Sequence, residues 1–161
     1  MMVSTSVVTS VSGQHLLRKR GLGPPSPIGT EQADSSSAAI GEGRRIFVID
    51  DEDTIADSLA EILKGHGFDA VPFYEGKDAI DSARERCPDI VLSDVIMPRL
   101  NGIETVLAIR QTCPAARIVL FSGQAGTADI LRQARADGHE FELLPKPLHP
   151  EQLLRQLKRR S

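Results

Sequence analysis

The feature that most constrains this chain is an alternation that begins at Arg44. Short apolar runs at 46–49, 68–73, 90–92, 118–121 and 141–144 are separated by longer stretches with apolar residues at helical spacing. Three of the runs are β-branched and apolar without a period of two, as strands buried on both faces read. Ile55, Leu59, Ile62 and Leu63 mark the first helix, with Asp53 or Thr54 expected as its N-cap and Gly65 and Gly67 as its stop signal. Ala79, Ile80 and Ala83 mark a second, ended by Pro88, and Ile103, Val106, Leu107 and Ile109 a third, ended by Pro114. A weaker fourth covers 127–136 and runs into Asp137 and Gly138. The last covers 150–160, with Leu153, Leu154 and Leu157 on one face and a basic end that suits the helix dipole. Five strands alternating with five helices predict the α/β class: a doubly wound, five-stranded parallel sheet with right-handed crossovers.

Residues 1–43 are a different kind of sequence. They are rich in Ser, Thr and Gly, contain Pro24, Pro25 and Pro27, and lack both periods. Such a segment buries too little apolar surface to offset its ordering entropy, so it reads as a disordered N-terminal extension ahead of one domain over 44–161. Arg18, Lys19 and Arg20 in an acid-free stretch faintly suggest a transit peptide, but a plain leader is the simpler reading. The chain of 161 residues has net charge −3, which does not suggest a nucleic-acid binder. No stretch is long and apolar enough to predict a membrane span. Cys87 and Cys113 each precede a proline and form no metal-ligand pattern, so two free thiols in a reducing cytoplasm are expected.

In doubly wound sheets, ligands bind beyond the carboxyl ends of the strands. The first strand ends in Asp50 and Asp51, the third in Asp94, the fourth in Ser122, and the fifth leads to Lys146. Each residue alone has an ordinary explanation as a solvated turn, a helix cap or a surface lysine. Together at four ends of one sheet they predict a site. Carboxylates held close repel unless a cation joins them, and a hard, oxygen-preferring ion such as Mg²⁺ suits the set. Aspartate also accepts phosphoryl groups as an acyl phosphate, a reaction that asks mainly for positioning and charge neutralisation.

These residues resemble the receiver domains of bacterial two-component response regulators. Ile46-Phe47-Val48-Ile49-Asp50-Asp51 is similar to the family's first strand and acidic pair. Asp94 is followed by Met97-Pro98 and Gly102, as in its phosphorylation loop, while Phe121-Ser122-Gly123 and Lys146-Pro147 match its later motifs. The resemblance implies a flavodoxin-like (βα)5 fold with strand order 2-1-3-4-5 and a cis bond before Pro147. It implies that Asp94 is the phosphoryl acceptor and that Ser122 and Lys146 bind the phosphoryl group. It further implies that Asp51, Asp94 and the Ile96 carbonyl bind Mg²⁺, with Asp50 reaching it through water. The implied function is that of a stand-alone cytoplasmic switch rather than an enzyme. It would be phosphorylated by a histidine kinase or histidine phosphotransfer protein and would act on a downstream protein, as a monomer or phosphorylation-dependent dimer, without direct DNA binding or a membrane.

Two positions depart from the family pattern. Leu143 stands where an aromatic is usual, with Phe141 on the same strand face, and Gly123 stands where Ala is common. Ile96 and Gln124 are expected to flank the approach of water to the phosphorylated aspartate. A small Mg²⁺-dependent phosphohydrolase would want an acid two residues after the nucleophile, where Ile96 stands. A flavodoxin-like cofactor binder would want a phosphate-cradling loop where Asp50, Asp51, Glu52 and Asp53 would repel one.

Overall fold

The computed structural model describes residues 40–123 and 126–159. Ten elements alternate along them: β1 (Arg45–Ile49), α1 (Asp53–Gly65), β2 (Asp69–Phe73), α2 (Gly76–Glu85), β3 (Ile90–Asp94), α3 (Gly102–Thr112), β4 (Arg117–Ser122), α4 (Ala128–Ala136), β5 (Glu142–Pro145) and α5 (Pro150–Lys158). The strands form one parallel sheet in the order β2-β1-β3-β4-β5, as expected.

Strand alternation builds two cores from continuous apolar runs. Ile46, Val48, Leu92, Val119 and Phe121 pack with Leu59 and Leu63 of α1 and with Leu153 and Leu157 of α5. Phe47, Ile49, Val91, Ile118 and Leu120 pack on the other side with Ala79 and Ala83 of α2, Val106 and Ile109 of α3, and Ala134 of α4. Each fully buried Leu or Ile contributes about 2 kcal/mol by leaving water. α4 buries only Ala134 completely, whereas α1 buries four residues, so α4 is the more lightly seated helix.

The helix stops read from the sequence are present. Gly67 and Gly138 adopt positive φ after α1 and α4, and Pro88 and Pro114 lie beyond α2 and α3. The expected cap of α1 is corrected: Glu52 holds the N-cap position without a side-chain cap bond, and the Asp53 carboxylate accepts from the Thr54 N–H at 2.7 Å inside the first turn. The described residues begin ahead of Arg44. Residues 40–43 form a turn in which the Gly41 and Gly43 amides donate to the His66 and Gly67 carbonyls, both at 2.8 Å. A Cβ on Gly41 would sit 2.3 Å from the Gly67 backbone, so the contact requires glycine. The remainder of the 1–43 extension, including the faint transit-peptide segment, lies outside the described residues.

A second correction concerns the cysteines. Cys87 and Cys113 are joined in a disulfide, with their Cα atoms 5.6 Å apart. The pairing arises because α2 and α3 lie side by side, Gly76 against Thr105, and deliver their C-terminal ends to the same edge of the sheet. Among the described residues no helix is long and apolar enough to cross a membrane.

The C-terminus of α5 is held by two arginines. Arg117 of β4 forms a two-point pair with Glu142 of β5 (2.7 and 2.6 Å) and donates to the Gln156 and Arg159 carbonyls. Arg44 donates to the Leu157 carbonyl at 3.3 Å. These bonds satisfy carbonyls that a helix end leaves without intrahelical partners. The Arg117 hydrogen bond outweighs partial burial and holds the Glu142 carboxyl below its usual value near 4.5. A carboxylate depressed on folding adds stability that is present above its unfolded value and lost as pH falls through its folded one. Glu142→Gln should therefore lower unfolding free energy at pH 7 by about 1 kcal/mol, allowing for partial solvent screening. The difference from wild type should shrink progressively as pH falls below 4.5 and through the folded value, as read by urea denaturation over a pH series. A pH-independent difference would contradict the pairing.

Candidate functional site

Five polar side chains converge at the carboxyl ends of the strands because β1, β3, β4 and β5 all run the same way and stop at similar heights. Register pairs Ile49 with Ser93, Asp94 with Phe121, and Ser122 with Pro145. Asp50, Asp94, Ser122 and Lys146 therefore arrive at one edge, as the sequence predicts.

Asp50, Asp51 and Asp94 each bring a carboxylate oxygen within 4.8 Å of the others. Asp50 is 0% exposed and Asp94 7%, while Asp51 is open to solvent. The Lys146 ammonium donates to Asp94 Oδ2 at 2.9 Å and lies 3.5 Å from Asp50 Oδ2. Burial pushes the Asp50 carboxyl above its usual range, against the Glu52 N–H that donates to it at 2.9 Å and against the Lys146 charge. Burial works to lower Lys146, but the Asp94 hydrogen bond and the two nearby carboxylates together hold its ammonium above the usual lysine value. One cation thus faces a buried group of carboxylates. The mixture of buried and open carboxylate oxygens fits a hard divalent ion that keeps part of its water shell.

The backbone around Asp94 is tightly fixed. The Lys146–Pro147 bond is cis, in line with the resemblance, and the Lys146 N–H donates to the Ser122 carbonyl at 2.8 Å. The Val95 N–H donates to the Phe121 carbonyl at 3.1 Å, and the Gly102 N–H returns to the Val95 carbonyl at 2.9 Å, closing the loop after β3. A Cβ on Gly102 would sit 1.8 Å from the Asp94 carbonyl oxygen. Asn101 caps α3 in a capping box with Glu104. Arg99 in this loop has φ of 66°, a strained position for a residue other than glycine, and is ion-paired with Glu75. Ile96 is 49% exposed, and its Cδ1 would lie 3.5 Å from a Cβ placed on Gly126. The Ile96 side chain therefore leans toward the loop between β4 and α4. Gln124 lies outside the described residues.

Sequence reasoning missed Thr127, which looked only like a helix start. Its hydroxyl is buried and donates to the Gly123 carbonyl at 3.0 Å, with the Ser122 Oγ 3.4 Å away. Thr127 has a single hydroxyl hydrogen, which the shorter contact to the Gly123 carbonyl takes, so its contact with Ser122 is the weaker of the two. Thr127 and Ser122 also line a 480 Å³ groove with Leu131 and Arg132 of α4 and Leu143 and Pro145 of β5. Leu143 is 41% exposed there, and Phe141 packs against the α2–α3–α4 core, so the two share a face as strand alternation predicts.

Residues 46–158 match the family model described as the response regulator receiver domain. The chain is 30% identical over 117 residues to the DNA-binding response regulator MtrA of Mycolicibacterium smegmatis, a match covering 73% of this chain and 50% of that protein. It thus spans about half the length of these DNA-binding relatives. The chemotaxis protein CheY of Thermotoga maritima is 28% identical over 120 residues, covering 74% of this chain and 98% of CheY. Among solved structures, a response regulator receiver domain protein from Clostridium thermocellum superposes with a TM-score of 0.64 at 28% identity, covering 71% of this chain and 90% of that one. Chemotaxis protein CheY4 of Vibrio cholerae gives 0.63 at 26% identity, covering 71% and 96%.

The closed loop after β3 makes a direct prediction. Gly102→Ala drives a methyl group into backbone that has nowhere to retreat. It should cost about 1–3 kcal/mol of stability and weaken Mg²⁺ binding, measured by urea denaturation and by titration calorimetry. A variant unchanged in both would show that the loop is loose.

Proposed function

Because the chain belongs to the response regulator receiver family, we propose that it is a phosphorylation switch in which Asp94 takes a phosphoryl group from a histidine kinase or histidine phosphotransfer protein. The observation that carries this reading is the Lys146 ammonium 2.9 Å from Asp94 Oδ2, beside two further carboxylates. An Asp94 carboxylate oxygen attacks phosphorus as the bond to the donor's imidazole nitrogen breaks, and an acyl phosphate forms. Lys146 then neutralises the phosphoryl oxygens, and the Ser122 hydroxyl donates to one of them. Mg²⁺, held by Asp51, Asp94 and the Ile96 carbonyl, with Asp50 through water, would supply the remaining charge neutralisation. The chain turns over no separate substrate. It promotes only its own phosphorylation and a slow dephosphorylation.

Output in this reading is a changed protein–protein surface around α4, β5 and α5. Ser122 shares Thr127 with the start of α4, and the groove beside Leu143 gives that helix room to shift. With Leu143 in the usual aromatic place, the readout runs through backbone and hydroxyl contacts rather than a phenol. We place the switch in the cytoplasm, as a stand-alone monomer or phosphorylation-dependent dimer. The matched relatives that bind DNA extend well beyond the shared segment, so the expectation of no DNA contact applies to the receiver unit itself. The phosphohydrolase alternative is disfavoured, since the position two residues after Asp94 is the apolar Ile96.

Asp94→Asn should abolish phosphorylation by acetyl phosphate in Mg²⁺, followed by intact-protein mass spectrometry. Persistent labelling would point to another acceptor. Ile96 stands two residues after Asp94 with its side chain toward the β4–α4 loop and, being apolar, neither holds nor orients water. Ile96→Asn should speed loss of the phosphoryl group about tenfold, roughly 1.4 kcal/mol of barrier. Decay after donor removal measures this, and equal rates would remove Ile96 from control of the water.

A further inference from the structure

The Cys87–Cys113 bridge stands at the sheet edge opposite the acidic site, and its two sulfurs have unlike surroundings. Cys87 follows α2 in an exposed turn, whereas Cys113 is 2% exposed and belongs to the apolar core under α2 and α3. We propose that this bridge is a site of thiol–disulfide exchange, opened by a monothiol of the glutathione class attacking Cys87 Sγ, with Cys113 as the leaving and resolving sulfur.

The step balances without another reactant. The external thiolate forms a new S–S bond to Cys87, the Cys87–Cys113 bond breaks, and its electron pair leaves on Cys113 Sγ, which takes a proton from water. Exchange requires access to one of the two half-cystines, and of the two residues only Cys87 is exposed to solvent. The leaving sulfur has a partner waiting, because Cys113 Sγ lies 3.5 Å from the Ala83 carbonyl oxygen, which accepts an S–H. Cys87 Sγ likewise lies 3.9 Å from the Thr112 carbonyl oxygen. Both sulfurs sit at helix C-termini, where the dipole disfavours a thiolate. The opened form is therefore a thiol at Cys113 and a mixed disulfide at Cys87. Cys113 can re-attack Cys87, expel the monothiol and restore the bridge, so the modification is reversible.

The position of the bridge makes such a state consequential. The ring it closes spans 26 residues and contains the whole of β3, Asp94, the loop through Gly102, and α3. The five residues of β3 separate the sulfurs from Asp94 by about 15 Å. Opening the ring releases a covalent constraint on the acceptor segment without touching the carboxylates. Intracellular disulfides are more often transient and redox-sensing than structural.

The test uses the full chain. Oxidised protein is incubated with reduced glutathione, quenched in acid and peptide-mapped by mass spectrometry, and the adduct is expected on Cys87 with none on Cys113. Cys113→Ser, lacking the resolving thiol, should accumulate a stable Cys87 adduct with glutathione disulfide. Cys113 in the Cys87→Ser variant should react at least about tenfold more slowly. Circular dichroism confirms that each variant is folded, and if one is not, the wild-type map decides. An adduct on Cys113, equal rates in the two variants, or a bridge that glutathione opens only in denaturant would overturn the proposal.

Discussion

The interaction on which the site depends is the pairing of one ammonium, Lys146, with the carboxylates of Asp94 and Asp50. Three carboxylates within 4.8 Å, one of them fully buried, would otherwise force one another to keep protons. Lys146 relieves part of that repulsion and leaves a net negative cradle that would suit a divalent cation. The lysine can do this only because the backbone at its own position is fixed. The cis bond to Pro147 turns the chain at the end of β5, and the Lys146 amide is anchored on the Ser122 carbonyl. One charge contact therefore ties together three strand ends that are far apart in sequence.

The loop after β3 is the second fixed part. Gly102 touches the Asp94 carbonyl with no room for a side chain, Asn101 and Glu104 cap α3 reciprocally, and Arg99 is held in a left-handed conformation. These devices leave Asp94 little freedom, which suits the proposed chemistry, since that needs orientation more than functional groups. The α4 side of the site is built differently. Thr127 reaches the Ser122 hydroxyl from the first turn of a helix that is only lightly packed, beside a groove lined by Leu143. In the proposed switch, rigidity on one flank and slack on the other would let a local change at Asp94 travel in one direction.

Much of this could be read from the residues in order. Three of the strand runs are legible because burial on both faces leaves no polar positions within them, and parallel order then brings their ends together. Asp50, Asp51, Asp94, Ser122 and Lys146 follow from that geometry. Pairings that depend on how helices sit against each other were not legible. The Cys87–Cys113 bridge needs α2 and α3 to end side by side, a consequence of the Gly76–Thr105 contact that no local pattern announces. Thr127 reads as a helix start until Ser122 is placed next to it. The cap of α1 was misassigned because Asp53 has good capping chemistry, yet its carboxylate serves the Thr54 amide inside the first turn. Arg117 and Arg44 hold the end of α5 across a distance in sequence that periodicity cannot bridge.

The shallow seat of α4, with Ala134 as its one fully buried residue, bears on how strongly the two ends of the switch are linked. A helix that gives up little apolar contact when it moves needs only a small free-energy difference to change position. In the proposed switch both positions would be populated whether or not Asp94 is modified, and a phosphoryl group would change their ratio rather than create a new state. Thermodynamic reciprocity has a direct corollary. Whatever factor the phosphoryl group of the proposed switch added to a partner's affinity for the displaced helix, that partner would return to the phosphorylation equilibrium at Asp94. A bound target would then itself be an input, and the amount of modified protein would depend on the abundance of what it binds as well as on its phosphate donor.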